Sequence, residues 1–122
     1  MYEKIEKWLN DILKNEINSE VVALNFNLYE NTEKKWSIEL VGTSSFDTDD
    51  EDWACDEVCD FGTRKNPFSW KENEEWDKVL DDIIQVIKRY LDNGLYAETL
   101  KKYGGIGVGF VDGDIEILYS KP

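Results

Sequence analysis

The stretch Phe46 to Gly62, FDTDDEDWACDEVCDFG, concentrates the residues most able to do chemistry. From Asp47 to Asp60 it places eight carboxylates in fourteen positions, with no Lys or Arg. Three chemistries compete for it: a divalent-cation loop, a thiol redox site, and an anionic surface for a basic ligand. A calcium loop of the EF-hand kind needs oxygen ligands at positions 1, 3, 5 and 12 and glycine at position 6. Counted from Asp47, Asp49 and Glu51 fit, but Asp52 stands where glycine is needed and Val58 where the bidentate Glu is needed. Carboxylates this dense repel one another and a cation would relieve them, yet a solvated acidic loop is the simpler reading, and no metal ligands are assigned.

The two cysteines, Cys55 and Cys59, are spaced CxxxC, whereas thioredoxin-type redox chemistry uses CxxC. Their neighbours Asp56, Glu57 and Asp60 would raise a thiol pKa where a nucleophile needs it lowered. Read as a strand, the segment from Trp53 to Phe61 sets Trp53, Cys55, Glu57, Cys59 and Phe61 on one face, so the cysteines become small, reduced core residues. Glu57 is the odd member of that face and needs a bulge or a buried partner.

The glycines of YGGIGVGF are spaced GxGxG inside a strand pattern, with no following Lys and Ser/Thr and no helix after them, so they do not make a phosphate loop. They instead leave one side of that strand bare at Gly105, Gly107 and Gly109. Either an aromatic ring covers the strip or another backbone approaches it. The chain has no His, which excludes His-based triads and His metal sites. So many carboxylates make any single pair uninformative about acid/base catalysis. No catalytic residue and no cofactor is assigned, and a binding protein is favoured over an enzyme.

Composition narrows the partner. With 27 acids against 14 bases, the formal charge of -13 repels nucleic-acid phosphates and anionic lipid headgroups and attracts basic proteins. Hydrophobic content of 41%, with five Trp and six Tyr, is too apolar for a disordered acidic tail. The start, MYEKIEKWLNDILKNE, has no continuous apolar core and predicts no secretory signal, and no run approaches the roughly 18 apolar residues of a membrane span. A cytoplasmic protein of one domain, residues 1–122, with no direct nucleic-acid or membrane contact is expected.

Periodicity supplies the elements. Ile5, Trp8, Leu9, Ile12 and Leu13 recur at helical spacing over residues 2–16. VVALNFNLYE alternates Val22, Leu24, Phe26 and Leu28 against Ala23, Asn25, Asn27 and Tyr29; KKWSIELVG alternates Trp36, Ile38 and Leu40 against Ser37, Glu39 and Val41. With ENTE between them the two runs predict a hairpin. A main helix carries Trp76, Val79, Leu80, Ile83, Ile87, Tyr90 and Leu91 on one stripe, with Asn73 as N-cap and Gly94 as its stop. A short helix spans Tyr96 to Tyr103. IGVGFVDGDIEILY predicts a last hairpin turning at Asp112-Gly113, with Ile106, Val108, Phe110, Ile115, Ile117 and Tyr119 on one face.

The order α-β-β-β-α-α-β-β implies an α+β two-layer domain: a mostly antiparallel sheet of about five strands with helices on one face and water on the other. The wet face should carry Asn25, Asn27, Tyr29, Ser37, Glu39 and Glu116. Trp8, Trp36 and Trp76 fall on apolar stripes and read as core. Trp70 lies between the sheet and the main helix. Trp53, flanked by Asp and Glu, reads equally as an interface anchor or as packing under its own loop.

The segments ELVGTSSFDTDDEDWACDEV, NPFSW, YLDNGLYA and GVGFVDGDIEILY, which together cover most of the chain, resemble small cytosolic immunity proteins found beside bacterial polymorphic or contact-dependent toxins. That resemblance implies a stoichiometric inhibitor of one toxin domain, a basic nuclease, whose active site or substrate groove is occluded by acidic side chains. It carries no fixed set of functional residues. The docking residues expected from the acidic run itself are Asp47, Asp49, Asp50, Glu51, Asp52, Asp56 and Asp60, with Trp53 as anchor. The alternative is an acidic regulatory or nucleic-acid-mimicking module that occupies a cellular nucleic-acid-binding protein.

Overall fold

A computed structural model of the chain describes residues 1–15 and 17–122. The elements are α1 (Tyr2–Leu13), β1 (Ala23–Thr32), β2 (Lys35–Thr43), a 3-10 helix (Glu51–Cys55), β3 (Glu57–Cys59), β4 (Phe68–Lys71), α2 (Trp76–Asn93), α3 (Ala97–Leu100), β5 (Gly105–Phe110) and β6 (Glu116–Ser120). They form an α+β two-layer domain. The sheet has six strands in the order β3-β2-β1-β5-β6, with β4 also paired to β2. All pairs are antiparallel except β1 with β5, which run parallel.

The apolar halves of the alternating runs face the helices. Leu24, Phe26 and Leu28 pair across to Gly42, Leu40 and Ile38 on β2, and to Ile106, Val108 and Phe110 on β5. Cross-strand partners share a face, so these side chains form one continuous apolar surface. Ile5, Trp8, Leu9 and Leu13 of α1 and Ile83, Ile84, Ile87, Tyr90 and Leu91 of α2 close over it. Val22, expected on that surface, precedes the strand and is exposed. Tyr90 ties the helices together: its hydroxyl donates to Asn10 Oδ1 at 2.6 Å and accepts from the Tyr96 amide at 3.3 Å. Burial pushes this phenol up to about 12.

Several expected elements move. The first helix ends at Leu13, and the last residue of the expected span, Glu16, lies outside the described residues. The first hairpin turns tighter than ENTE: Thr32 pairs with Lys35, leaving Glu33 and Lys34 at the tip, with Lys34 at a φ of 60°. The expected strand Trp53–Phe61 is instead the 3-10 helix followed by the three-residue β3. NPFSW, expected as a lead-in to the main helix, supplies β4, which sets Trp70 opposite Trp36 and Phe68 opposite Ile38. The α2 helix therefore starts at Trp76 with Glu75 as N-cap, not at Asn73. The short helix contracts to Ala97–Leu100.

Since β3 and β4 share one edge of β2, a gap opens between them at Leu40. Thr63 fills it with a side chain: its Oγ1 accepts the Leu40 N–H at 2.9 Å and lies 3.0 Å from the Leu40 carbonyl. A buried backbone left unpaired there would be costly, so the hydroxyl replaces a strand.

The expected wet face is largely covered. Asn25, Ser37 and Glu39 are buried, Asn27 and Tyr29 are half-buried, and Glu116 is exposed. The cause lies in β5. A side-chain carbon on Gly105 would meet the Phe46 ring at 2.1 Å; one on Gly107 would meet Ile115 Cγ2 at 2.8 Å and Trp53 Cζ2 at 3.1 Å; one on Gly109 would meet the Asp114 carbonyl oxygen at 2.3 Å. Both ways of filling a bare strip are thus used, rings over the first two glycines and backbone over the third. A bulge in β6 adds to this. Tyr119 pairs with Ile106 but Ile117 pairs with Gly107, so Leu118 is the extra residue. Ile117 consequently lies on the glycine side, and Glu116 opposes Val108, the reverse of simple alternation. Among the described residues no helix is long and apolar enough to cross a membrane.

Gly109 and Gly113 give a direct check of this packing. Gly109→Ala should cost about 1–3 kcal/mol by forcing the Asp114 backbone away. Gly113→Ala, whose nearest neighbours would lie at 3.7 Å, should change stability by under about 0.5 kcal/mol. Equal urea midpoints for the two variants would contradict the close approach.

Candidate functional site

The acidic segment is folded down, not free. Asp47 Oδ1 accepts the Asp49 amide at 2.8 Å and Asp50 Oδ1 accepts the Asp52 amide at 3.0 Å, so each short carboxylate turns the chain by capping the backbone two residues on. The second turn opens the 3-10 helix, and its inward residue is Trp53. This ring is 3% exposed and packs edge-on against Phe46 with centroids 4.9 Å apart, both seated on the glycine strip. The far end closes through Ser44 N–H to the Asp56 carbonyl at 2.9 Å and Ser45 Oγ to Asp56 Oδ2 at 2.6 Å. Glu51 Oε1 accepts the Ile115 amide at 3.0 Å, joining the acidic segment to the β5–β6 loop.

Of the expected docking residues, Asp47, Asp49, Asp50, Glu51 and Asp52 are exposed on this one segment, with Asp56, also exposed, at its end. Asp60 lies beyond β3 in the next turn, where its Oδ1 holds the Gly62 amide at 2.9 Å. Trp53 packs beneath the loop and presents no ring to a partner. The cysteines also differ from expectation. With the segment helical where a strand was expected, Cys55 turns outward and is exposed, while Cys59 is half-buried and its Sγ accepts the Phe61 amide at 3.4 Å. Among the described residues no three Asp, Glu or Cys side chains converge to hold a metal ion.

The exposed aromatic is Trp76, 58% accessible, at the start of α2. It stands on the first turn of α2, where its ring meets Phe110, the last residue of β5, edge-on at 6.0 Å and 89°. Two adjoining hollows of about 490 and 660 Å³ flank this pair, rimmed by Glu30, Asp112, Asp114 and Glu116, with exposed Val111 lining the first.

A third hollow, of about 460 Å³, lies over the polar sheet face between the acidic segment and the β5–β6 loop. Arg64 crosses one wall. Its guanidinium binds Glu57 through two hydrogen bonds, at 2.6 and 2.8 Å, and reaches Glu39 Oε1 at 3.3 Å. These bonds, that to Glu57 first, raise the Arg64 pKa further above its ordinary value. Glu57 thus gains both a bulge beside it in the β2–β3 pairing and an ionic partner. Burial, and then the charge of Glu39, raise the pKa of Tyr29 nearby. All three hollows border the loop 111–115, so acidic segment, aromatic groove and polar cleft share one end of the molecule.

No family model, curated protein or solved structure matches the chain.

The cysteines offer a check on the local fold. In the native protein Cys55, being exposed, should react with a thiol reagent on the order of tenfold faster than half-buried Cys59, whose access needs local opening. Equal and slow labelling of both would restore the buried strand.

Proposed function

We propose that this protein is an acidic protein-binding inhibitor, an immunity protein that neutralises a basic toxin domain by covering its active site or substrate groove. The observation that carries this reading is the held geometry of Asp47 to Asp52. Five exposed carboxylates sit on a segment fastened at both ends, plugged by Trp53 and tied to the β5–β6 loop by Glu51. Fixed charge of one sign steers a basic partner and costs little ordering on binding. The adjacent Trp76–Phe110 groove, ringed by acids, has the make-up of an interface anchor: a large amphipathic ring surrounded by charges that govern encounter and specificity. Trp76 thus takes the role that the sequence offered to Trp53. A nuclease is the favoured partner class because its substrate groove carries the basic charge that this surface complements. A cytoplasmic location fits such a role.

This reading predicts a toxin gene beside the one for this chain, and the test uses the domain which that gene encodes. Co-expression should protect cells, and the two proteins should form a one-to-one complex. Changing Asp49, Asp50 and Asp52 together to Asn keeps the capping oxygens, so folding should be unaffected. Association should slow by about tenfold and depend less steeply on salt. Trp76→Ala should leave association unchanged and speed dissociation by about 30-fold, the equivalent of about 2 kcal/mol. Unchanged rates for both variants would refute the assignment of this surface. Tight binding to a cellular DNA- or RNA-binding protein, with no effect on a neighbouring toxin, would favour a nucleic-acid mimic instead.

A further inference from the structure

The polar cleft contains an acceptor that the rest of the fold leaves unmet. Asn25 is 1% exposed and lines the cleft, and among the described residues its Oδ1 has no hydrogen-bond partner. This follows from the row it belongs to. Glu39, 7% exposed, ends the row with a carboxylate, which as an anion only accepts. Asn27 must therefore turn its amide Nδ2 toward Glu39 Oε1, at 3.2 Å, and its oxygen toward Asn25 Nδ2, at 2.6 Å. Flipping Asn25 alone would set oxygen against oxygen; flipping both would set the Asn27 oxygen against the Glu39 carboxylate. The buried acidic residue thus forces a free carbonyl oxygen at the other end, beside Gly107, where Ile115 and Trp53 close in. Glu39 Oε2 also makes no hydrogen bond among the described residues.

We infer that this cleft binds a guanidinium or alkylammonium group, with Asn25 Oδ1 accepting one of its N–H donors and Glu39, Glu51 and Asp52 balancing its charge. Anions are disfavoured because three of the lining groups are carboxylates, and the one cation, Arg64, is already held by Glu57 and Glu39. A neutral donor would meet Asn25 but leave the charge uncompensated. A group with several N–H donors and a positive charge answers both demands. A hollow of about 460 Å³ admits such a head and its alkyl stem. This rests on the proposed function only for its source, an Arg or Lys side chain of the basic partner; the chemistry of the cleft is independent of it.

The experiment is an NMR titration of the whole chain with Nα-acetyl-arginine amide and with butylammonium, against tetramethylammonium, calcium chloride and sodium chloride at matched ionic strength. Both N–H donors should give saturable shifts of the Asn25 and Asn27 side-chain amides and the Ile115 backbone amide. Tetramethylammonium, which has the charge but no N–H, should not. Glu51→Gln, an exposed change that keeps the acceptor for Ile115, should weaken binding about threefold or more. Asn25→Leu should abolish saturation. Shifts shared by tetramethylammonium or sodium would overturn the inference in favour of simple screening, and saturation by calcium alone would overturn it in favour of a metal site. No shift at Asn25 with either donor would mean that ordered water meets the oxygen, and would also overturn it. In the complex with the toxin domain, the same Asn25 shifts identify the partner as the source. A complex without them refutes the partner as that source, leaving the inhibitor reading intact and the cleft to be decided by the probe titration. Saturable binding of the probes with no protein partner upholds the cleft and refutes that reading.

Discussion

Gly105, Gly107 and Gly109 leave one face of β5 without side chains, and what fills that space organises the second half of the molecule. Phe46 and Trp53 settle on the first two glycines, and the Asp114 backbone closes over the third. An acidic segment with so many like charges would otherwise extend into solvent, since its carboxylates repel one another. Burying two rings against a bare strand offsets that repulsion, and the Asx turns at Asp47 and Asp50 give the chain the bends it needs to reach the strip. The carboxylates are left outside because the apolar residues of the same segment have gone in.

The same covering turns the polar side of the sheet into a buried surface. Asn25, Asn27, Ser37 and Glu39 would be ordinary solvated residues on an open antiparallel sheet. Under the loops they must find partners, and they do so in a directed row anchored by Arg64. Ser37 instead meets Ser69 of β4 at 2.8 Å. Directionality is the price of placing a carboxylate in such a row, and the unmatched oxygen of Asn25 is its consequence. The fold, the held acidic surface and the proposed cation cleft therefore trace to one strip of glycines.

Much of this fold is legible in the sequence because period and burial agree where an element is long. The stripe Val79, Ile83, Ile87 and Leu91, the alternation of Leu24, Phe26 and Leu28, and the turn at Asp112-Gly113 all point to what is observed. The short pieces fail for identifiable reasons. Trp53, Cys55, Glu57, Cys59 and Phe61 mimic a strand face, but Asp-x-Asp repeats at 47–49 and 50–52 are local signals for turns and caps, which win over alternation in so short a run. Trp76 continues an apolar stripe, yet periodicity says nothing about how closely the first turn of a helix is covered. The two tryptophans exchange roles for this reason. Thr63 and β4 were missed because a single hydroxyl standing in for a strand leaves no periodic trace. The buried polar row has one signal, the bare glycine strip, because whatever covers Gly107 and Gly109 also lies over their neighbours Asn25 and Asn27 on β1.

The central claim is that the acidic segment is a fixed surface. Backbone 15N relaxation of residues 47–56 in the isolated protein tests it most directly. Seating on the glycine strip predicts order parameters near those of the sheet, about 0.85, through Asp49 to Asp56. Values below about 0.6 across this run would show a mobile acidic tether and contradict the account.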